Sequence, residues 1–406
     1  MILPLIFAAG AGTLELSDRV GADARLSSAA QSNSYDAVTV PTARATLRER
    51  LWALSATYSP SFIEQATDIS PPLPYVLQVE TLGATLQSRH ATVVLTEAGS
   101  FGWQNTANLV PQLAVAGQPQ TIQNIPTQIT TIQTESLFTT LSGQFRPTRR
   151  WTLVLSSGYS LSGGAREVDR EISPLTFQVP VTVTANYALS RVDRALVYVN
   201  GARSWTKLGP CLVATTPGAA SASLPATCAP DGYFGGVSVG GQHAFSRGEF
   251  GLMSVGYGMS GERISPGLPY VLSTFPLANV SYWVEFGMEK TRTTLRFDGQ
   301  AMPVMDMRSG ALNYGVQGTG TLRVLFRSRA MVALAAGAMQ SFASADERPT
   351  STLFVTGTSE FPIGKYVSLN AMSSYFSQLQ EGAPAVSSVS FFVGAIVRSL
   401  PFHFQI

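Results

Sequence analysis

Charged side chains are scarce in this sequence of 406 residues: Asp, Glu, Lys and Arg together make up 13% of it. A soluble globular protein usually carries about 25%, so much of the surface of this protein is not built to face water. Lys and Arg number 27 and Asp and Glu number 25, which leaves a formal net charge of +2. A balance this close to neutral gives no argument for a nucleic-acid partner.

Long hydrophobic runs are missing as well. The best apolar stretches, residues 1–12 and 330–339, are shorter than the ~18 residues that a membrane-spanning helix needs. This excludes a polytopic helical membrane protein. The 36 Gly and 24 Pro residues are spread along the chain, which disfavours long helices. What remains is an all-β protein.

The first 12 residues have the features of an incomplete export signal. They are apolar and end in small residues, with Ala9 and Ala11 spaced as a signal peptidase site requires. The positively charged start of such a signal is missing. The segment is therefore either a truncated signal or a disordered or strand-forming start, and residues 13–406 form a single domain.

Cysteine occurs only twice, and the two copies bracket one loop. Cys211 and Cys228 enclose a segment that is rich in Pro, Ala, Ser and Thr and has neither strand nor helix periodicity. In an oxidising compartment, a disulfide closing this loop would stabilise the fold by about 3 kcal/mol. The alternative is a pair of free thiols. Neither cysteine has a Cys or His partner at ligand spacing, so no metal site is predicted, and no motif indicates a cofactor.

The dominant pattern is alternation of apolar and polar residues with a period of two. Residues 181–190 place Val and Tyr on one face and Thr and Asn on the other, and residues 312–327 continue such a pattern over sixteen residues. A strand in a soluble protein is usually about five or six residues long. A tilted strand that crosses a bilayer needs roughly 9 to 11 residues within the hydrocarbon. The long segments therefore indicate membrane-spanning strands.

Short and mostly basic turns join these segments into eight hairpins. The turns lie near residues 48–50, 88–91, 146–150, 191–194, 246–249, 290–292, 327–329 and 361–365. The connections between hairpins are more variable and often long: 27–37, 61–73, 104–132, 164–174, 207–231 and 263–274, with shorter ones near 309, 347 and 382. Eight hairpins and one strand at each end predict eighteen strands. Sixteen is the alternative, because the first two strands alternate weakly.

The C-terminus adds a second signal, since Leu400, Phe402, Phe404 and Ile406 alternate as in a strand read by the barrel-assembly machinery. With this ending and the hairpin pattern, residues 13–406 resemble a bacterial outer-membrane β-barrel of the porin-like kind, without matching a subfamily. The resemblance implies a single transmembrane up-and-down antiparallel barrel in the bacterial outer membrane, with short periplasmic turns and long extracellular loops. Its implied partners are outer-membrane lipid and, during biogenesis, the assembly machinery. A sandwich or solenoid is the alternative, but its outward faces would need a second sheet.

A barrel of sixteen to eighteen strands is too wide for side chains to fill, so it encloses a channel unless something obstructs it. Alternation assigns four charged residues to the lumen: Glu285, Arg296, Asp298 and Arg323. If residues 290–291 form a two-residue turn, Glu285 lies opposite Arg296, Trp283 lies opposite Asp298, and Arg323 is level with Arg296. These charges either tune solute selectivity or form cross-strand ion pairs that hold the register.

Two further segments bear on the lumen. Residues 104–132 form the longest connection, which is uncharged and rich in Gln, Asn and Pro. It either folds into the mouth of the barrel or remains a surface loop. Residues 330–339 are small and apolar on both faces, so a loop or short helix is expected to pack against their inner side.

The expected function is a passive aqueous channel for small polar solutes with little charge selectivity. The alternative is a structural or surface-interaction barrel with a blocked lumen, whose extracellular loops bind a partner or a polysaccharide. An enzyme is not expected, because a barrel hydrolase needs a His base beside its Ser nucleophile. The three histidines, His90, His243 and His403, all fall toward the periplasmic rim. No pattern indicates an oligomeric state.

Overall fold

The computed structural model describes residues 11–27, 33–67, 73–105, 120–122, 131–207, 231–263, 269–288, 291–306, 312–342, 349–380, 385–400 and 402–405. In chain order the strands are β1 (Ala11–Ser27), β2 (Ser34–Arg48), β3 (Trp52–Tyr58), β4 (Ser61–Thr67), β5 (Leu73–Gln87), β6 (Ala91–Asn105), β7 (Gln120–Ile122), β8 (Thr131–Phe145), β9 (Trp151–Gly164), β10 (Leu175–Ala188), β11 (Asp193–Lys207), β12 (Asp231–Ser246), β13 (Glu249–Arg263), β14 (Val271–Met288), β15 (Thr291–Asp306), β16 (Leu312–Phe326), β17 (Met331–Ser341), β18 (Thr350–Pro362), β19 (Val367–Gln380), β20 (Val386–Arg398) and β21 (Phe402–Gln405). A short 3-10 helix, Asp169–Glu171, lies between β9 and β10. None of the helices in these ranges is long and apolar enough to cross a membrane.

The sheet closes on itself at β1, which pairs with β2 on one side and with β20 and β21 on the other. β3 and β4 are two halves of one wall strand, because both pair with β2 and with β5 without a change of register. β20 and β21 are two parts of one wall strand, because both pair with β1, although their registers differ by one residue. β7 is a three-residue strand that pairs in parallel with β15 and is not counted among the wall strands. The wall is therefore a closed antiparallel barrel of eighteen strands. The predicted eighteen is confirmed over sixteen.

All eight predicted hairpins are confirmed. The strand ends leave short connections at residues 49–51, 88–90, 146–150, 189–192, 247–248, 289–290, 327–330 and 363–366. The connection at 49–51 shows that β2 and β3 are separate strands. The prediction of a loop over residues 61–73 is wrong in its first half, because β4 continues the wall strand of β3 after an interruption at Pro60.

Alternation separates an outer surface from an inner one. On β13 the outward side chains Met253, Val255 and Tyr257 are each more than half exposed. Between them Ser254 points to the inside and is buried. Because successive residues of a strand point to opposite faces, the alternation of apolar and polar residues gives the barrel an apolar outer surface and a more polar inner one. All described strands belong to one sheet, so no second sheet covers the outward faces as a sandwich would require.

Aromatic pairs lie near both ends of the apolar outer surface. Near the short connections, the ring centroids of Trp151 and Tyr187 are 4.9 Å apart. Toward the other end, Phe177 stacks on Trp205 with a centroid distance of 5.4 Å. An apolar belt between two aromatic girdles, on a closed barrel, is the form in which chains cross the bacterial outer membrane. The outer surface of this barrel belongs in that membrane.

The last wall strand changes register between β20 and β21, an interval whose sequence contains a proline, which has no N–H to give to the ladder. β20 pairs Arg398 with Ser17, whereas β21 pairs Phe402 with Leu14, so the strand slips by one residue between them. Phe402 consequently lies beside Leu14 on the outer surface, where it is 58% exposed. The alternating residues of β21 therefore pair with β1 in a different register from those of β20.

The connection between β9 and β10 folds around one ion pair. Arg166 donates two hydrogen bonds to the carboxylate of Asp169, at 2.7 and 2.9 Å, and Asp169 is buried. These hydrogen bonds raise the pKa of the Arg166 guanidinium. The same guanidinium lies over the ring of Trp103 on β6, 4.6 Å from its centroid. The contact ties the connection to the extracellular girdle.

Two carboxylates on neighbouring strands lie within the apolar belt. Glu80 on β5 and Glu97 on β6 share the outward faces of Leu82 and Leu95, about halfway along their strands. A carboxylate that faces hydrocarbon is costly, although less so than Arg or Lys. We therefore expect Glu97→Leu to raise the free energy of unfolding by about 1 to 2 kcal/mol. Urea titration of the protein in lipid vesicles measures this change.

Glu64→Leu is the matched control, because Glu64 also points outward but lies near the extracellular end of its wall strand. Its free energy of unfolding is expected to stay within about 0.5 kcal/mol of the unchanged protein. A Glu97→Leu protein less stable than the parent would contradict exposure of this carboxylate to lipid.

Candidate pore lining

The four charged residues predicted for the lumen lie on three neighbouring strands. They are Glu285 on β14, Arg296 and Asp298 on β15, and Arg323 on β16. The alternate residues Phe286 and Phe297 are about half exposed on the outer surface. The four charged side chains consequently start from the inner face of the wall.

The pairing of these strands differs by two residues from the one expected. Glu285 was predicted to lie opposite Arg296, but Glu285 pairs with Thr294 and Arg296 pairs with Trp283. Asp298 pairs with Ser281 instead of Trp283. The predicted register of this hairpin is therefore wrong, although the residues assigned to each face are unchanged.

The difference arises from the position of the turn. Because Met288 pairs with Thr291, the connection consists of residues 289–290 and not of residues 290–291. Both connections contain two residues, so both keep the same side chains on the inner face. A hydrophobic pattern with a period of two determines the face of a strand, but a slip of two residues leaves that pattern intact.

Three ion pairs between described residues neutralise charge on the inner wall. They are Arg292 with Glu285, Arg296 with Asp298, and Arg398 with Glu360. Nε of Arg296 lies 2.6 Å from Oδ2 of Asp298, and Ser281 donates a hydrogen bond to the other carboxylate oxygen at 2.7 Å. The arginines in these pairs are 47 to 65% exposed. Pairs this exposed add little stability, but each one cancels charge in its part of the lumen.

Arg323 forms no salt bridge with any residue that the structure describes. It pairs with Thr294, which pairs with Glu285, so one strand lies between the two charges. With a spacing of ~4.8 Å between neighbouring strands, the two backbones are about 10 Å apart. Arg323 was expected to be level with Arg296, but Arg296 pairs with Thr321. Arg323 therefore adds an unmatched positive charge to the inner wall.

A cavity of 360 Å³ lies farther from the short turns, against the inner faces of β8 to β15. No charged side chain is among the described residues that line it. Most of the lining surface is apolar, and hydroxyl and amide groups are set into it, including those of Thr182, Asn200, Ser254, Asn279 and Gln300. This cavity was not predicted from the sequence, because neutral side chains on a polar face give no signal that sets them apart from the rest of the wall.

An apolar cluster faces the lumen at the extracellular end of this cavity. Its buried members are Ala202, Phe234, Phe275, Leu277 and Met302. Tyr314 packs against them, with its ring centroid 6.0 Å from that of Phe275. The cluster was not predicted from the sequence. Phe275 and Leu277 have the same parity on β14 as Glu285, however, which assigns them to the inner face.

β7 belongs to the longest connection, and its three residues lie beside a wall strand on the opposite side of the barrel. β15 pairs with β14 only as far as Ala301, and farther along it pairs in parallel with β7 at residues 304–306. β7 lies in the chain between β6 and β8, which are neighbours in the wall. β15 is seven wall strands beyond β8. Between residues 105 and 131 the structure describes only β7, so the two alternatives for this connection, folding into the mouth or remaining a surface loop, fall largely outside the described residues.

Among the described residues, no serine hydroxyl forms a hydrogen bond with a histidine ring. His90 lies in the connection 88–90, and His403 lies on β21. His243 places Nδ1 2.7 Å from Oδ1 of Asp193, and Ser190 donates a hydrogen bond to Oδ2 of the same carboxylate at 2.7 Å. The carboxylate therefore stands between the Ser and the His, whereas a Ser nucleophile needs the His base directly beside it.

Two predictions concern residues outside the described ranges. Cys211 and Cys228 lie within residues 208–230, and most of the expected export signal lies within residues 1–10. The disulfide and the signal therefore stay predictions, and β1 begins at Ala11, inside the segment 1–12. Among the described residues, no group of three or more His, Cys, Asp or Glu is placed to hold a metal ion.

Comparison with known proteins gives a likeness to solved structures only. No family model and no curated protein matches the chain. The chain is similar to OccK5 (OpdH) of Pseudomonas aeruginosa, with a TM-score of 0.42, 8% identity, and coverage of 96% of this chain and 98% of that one. For OccAB3 of Acinetobacter baumannii the values are 0.44, 10%, 97% and 99%. For the RagAB peptide transporter they are 0.46, 8%, 92% and 62%. Values this low say nothing of what the lumen carries.

Proposed function

We propose that this barrel is a passive aqueous channel for small polar solutes. The observation that carries the proposal is the inner wall, where alternation presents many hydroxyls, amides and charged groups beside one apolar cluster. A barrel of eighteen strands is wider than its own side chains can fill. A polar wall around such a space favours water and dissolved solutes over packed protein.

The distribution of charge supports weak selectivity between cations and anions. Strong discrimination by charge usually comes from a ring of like charges around the pathway. The inner wall instead carries mixed signs, and Arg296 with Asp298 and Arg398 with Glu360 form neutral pairs. We therefore expect K⁺ and Cl⁻ to pass at similar rates, with Arg323 giving at most a slight preference for Cl⁻.

Conductance measurements test the channel proposal. Purified protein is added to a planar lipid bilayer, and we expect the current to rise in discrete steps as single barrels insert. A heat-denatured sample is the control and is expected to give no steps. Folded barrels that insert into the bilayer, as shown by protease protection, and carry no current would contradict the proposal.

A barrel with a blocked lumen is the second candidate, and one observation favours it. β7 pairs with β15, seven wall strands beyond β8, and a connection that reaches this far from β6 and β8 supports an obstructed mouth. Under this alternative, the extracellular connections bind a partner or a polysaccharide. Inserted barrels without conductance would support it.

Membrane insertion belongs to the same proposal. The apolar belt supports contact with outer-membrane lipid, and the alternation that begins anew at Phe402 supports recognition by the barrel-assembly machinery. No catalytic role is proposed, because hydrolysis needs a serine hydroxyl beside a histidine ring and the part of the chain that the structure describes contains no such hydrogen bond.

A further inference from the structure

A row of neutral hydrogen-bonding side chains crosses the inner wall at the level of the 360 Å³ cavity. Ser254 pairs with Asn279, Asn279 pairs with Gln300, and Gln300 pairs with Gln317, on the successive strands β13 to β16. Direct neighbours on one face of a sheet have Cβ atoms about 5 Å apart. Each amide has two donor hydrogens and an acceptor oxygen with two lone pairs. The row can therefore donate and accept hydrogen bonds side by side without carrying charge.

Two acceptors in and beside the cavity lack a donor. Oδ1 of Asn200, in the lining, and Oε1 of Gln317, at the end of the row, are both buried and accept no hydrogen bond from a described residue. Leaving a buried polar atom unpaired has a free-energy cost. A solute hydroxyl that donates to Asn200 would remove this cost, whereas a carboxylate has no hydrogen to donate.

The remainder of the cavity provides apolar surface. Leu277 and Met302 line one side and belong to the apolar cluster, and Phe138 and Tyr198 contribute aromatic rings. A pocket that is largely apolar and holds a few convergent polar groups is the usual form of a site for a small molecule. An ion would find no opposite charge among the described lining residues.

These features match a solute that has hydroxyl groups on its edge, apolar C–H surfaces on its faces and no net charge. We propose that the cavity is a binding subsite for uncharged polyhydroxyl solutes of small-sugar size. The proposal rests on the proposed channel function, since the solute has to enter the lumen to reach the cavity.

Influx into proteoliposomes tests the subsite, with radiolabelled glucose and its carboxylate relative gluconate as probes. The initial rate of glucose influx is expected to saturate with concentration, and the rate for gluconate is expected to rise linearly. The double substitution Asn279→Leu with Gln300→Met keeps side-chain volume but removes the amides. It is expected to raise the half-saturating glucose concentration about tenfold, the effect of losing one or two neutral hydrogen bonds.

Asn370→Leu is the matched control, since Asn370 faces the lumen from β19 and does not line the cavity. Its glucose influx is expected to be unchanged. Conductance in KCl is measured for every variant and shows that the barrel is folded and open; if the double variant lacks it, Gln300→Met alone is used. KCl conductance together with linear glucose influx, or with equal saturation by gluconate, overturns the subsite but not the channel. Absence of KCl conductance in the unchanged, inserted protein overturns both.

Discussion

Replacing Gly102 by alanine is expected to prevent the barrel from folding or to destabilise it by at least about 3 kcal/mol. Gly102 lies on β6 with φ +149°, a backbone conformation that residues with a side chain rarely adopt. A Cβ atom added there would lie 2.2 Å from the carbonyl oxygen of Val76 and 2.8 Å from Cα of Leu77. Both obstacles are backbone atoms of the neighbouring strand β5, so no side-chain rotation can relieve the clash.

Gly143→Ala separates this steric effect from the general loss of a glycine. Gly143 lies in the next wall strand, β8, and a Cβ atom added there has no other atom within 4 Å. We expect Gly143→Ala to fold normally, and Gly163→Ala to behave like Gly102→Ala, since Gly163 has φ +146° and its added Cβ would lie 2.3 Å from the carbonyl oxygen of Pro174. Heat-dependent migration on gels reports the folded fraction. Normal folding of Gly102→Ala would contradict the strand geometry at this position.

The number of strands was predictable because two solvents act on one wall. Lipid outside and water inside impose opposite preferences on successive residues. In β10, for example, apolar and polar residues alternate from Val181 onward, and this period of two identifies the segment as a strand. Turns were predictable where charged residues break this alternation. The strand half β4 was missed for the opposite reason: Pro60 and the carboxylate of Glu64 look like loop residues, but Glu64 points outward near the end of its wall strand.

Registers were less predictable than faces. The hairpin of β14 and β15 turns at residues 289–290, and the alternative at 290–291 gives the same inward and outward residues. Only the local backbone energies of the two turns distinguish them, and these are not visible in a period-two pattern. The contact between Arg292 and Glu285 follows from the observed register and was not predicted.

Packing inside the wall was also invisible in the pattern. Residues 330–339 are small and apolar on both faces and fit the alternation poorly, and a loop or short helix was expected to pack against their inner side. β17 is a regular strand there, and the ring of Phe354 on the adjacent β18 lies over Gly337: a Cβ atom at Gly337 would be 2.3 Å from that ring. A large side chain on one strand thus occupies the space left by a small residue on its neighbour, a pairing that single-strand periodicity does not reveal.

Arg323→Glu is expected to make the channel prefer cations. Arg323 has no salt-bridge partner among the residues that the structure describes, so its charge acts on the lumen without local cancellation. The replacement changes the local charge by two units. Glu285 lies on the same face, two strands away, so the two carboxylates would act on the same part of the lumen. Selectivity among small ions follows the charges that line the pathway. The permeability ratio of K⁺ to Cl⁻ is therefore expected to rise several-fold.

The zero-current potential across a planar bilayer, under a KCl gradient, measures that ratio. Lys207→Glu makes the same change of charge on the outward face of β11, where the ammonium lies 5.2 Å from the centroid of the Phe177 ring, and is expected to leave the potential unchanged. Repeating the measurement at high ionic strength provides a second check, because screening shortens the reach of the new charge to about 3 Å at 1 M salt, so the shift should shrink. An equal shift for both variants would mean that the potential reports the overall charge of the barrel. That result would contradict the prediction that Arg323 lines the ion pathway.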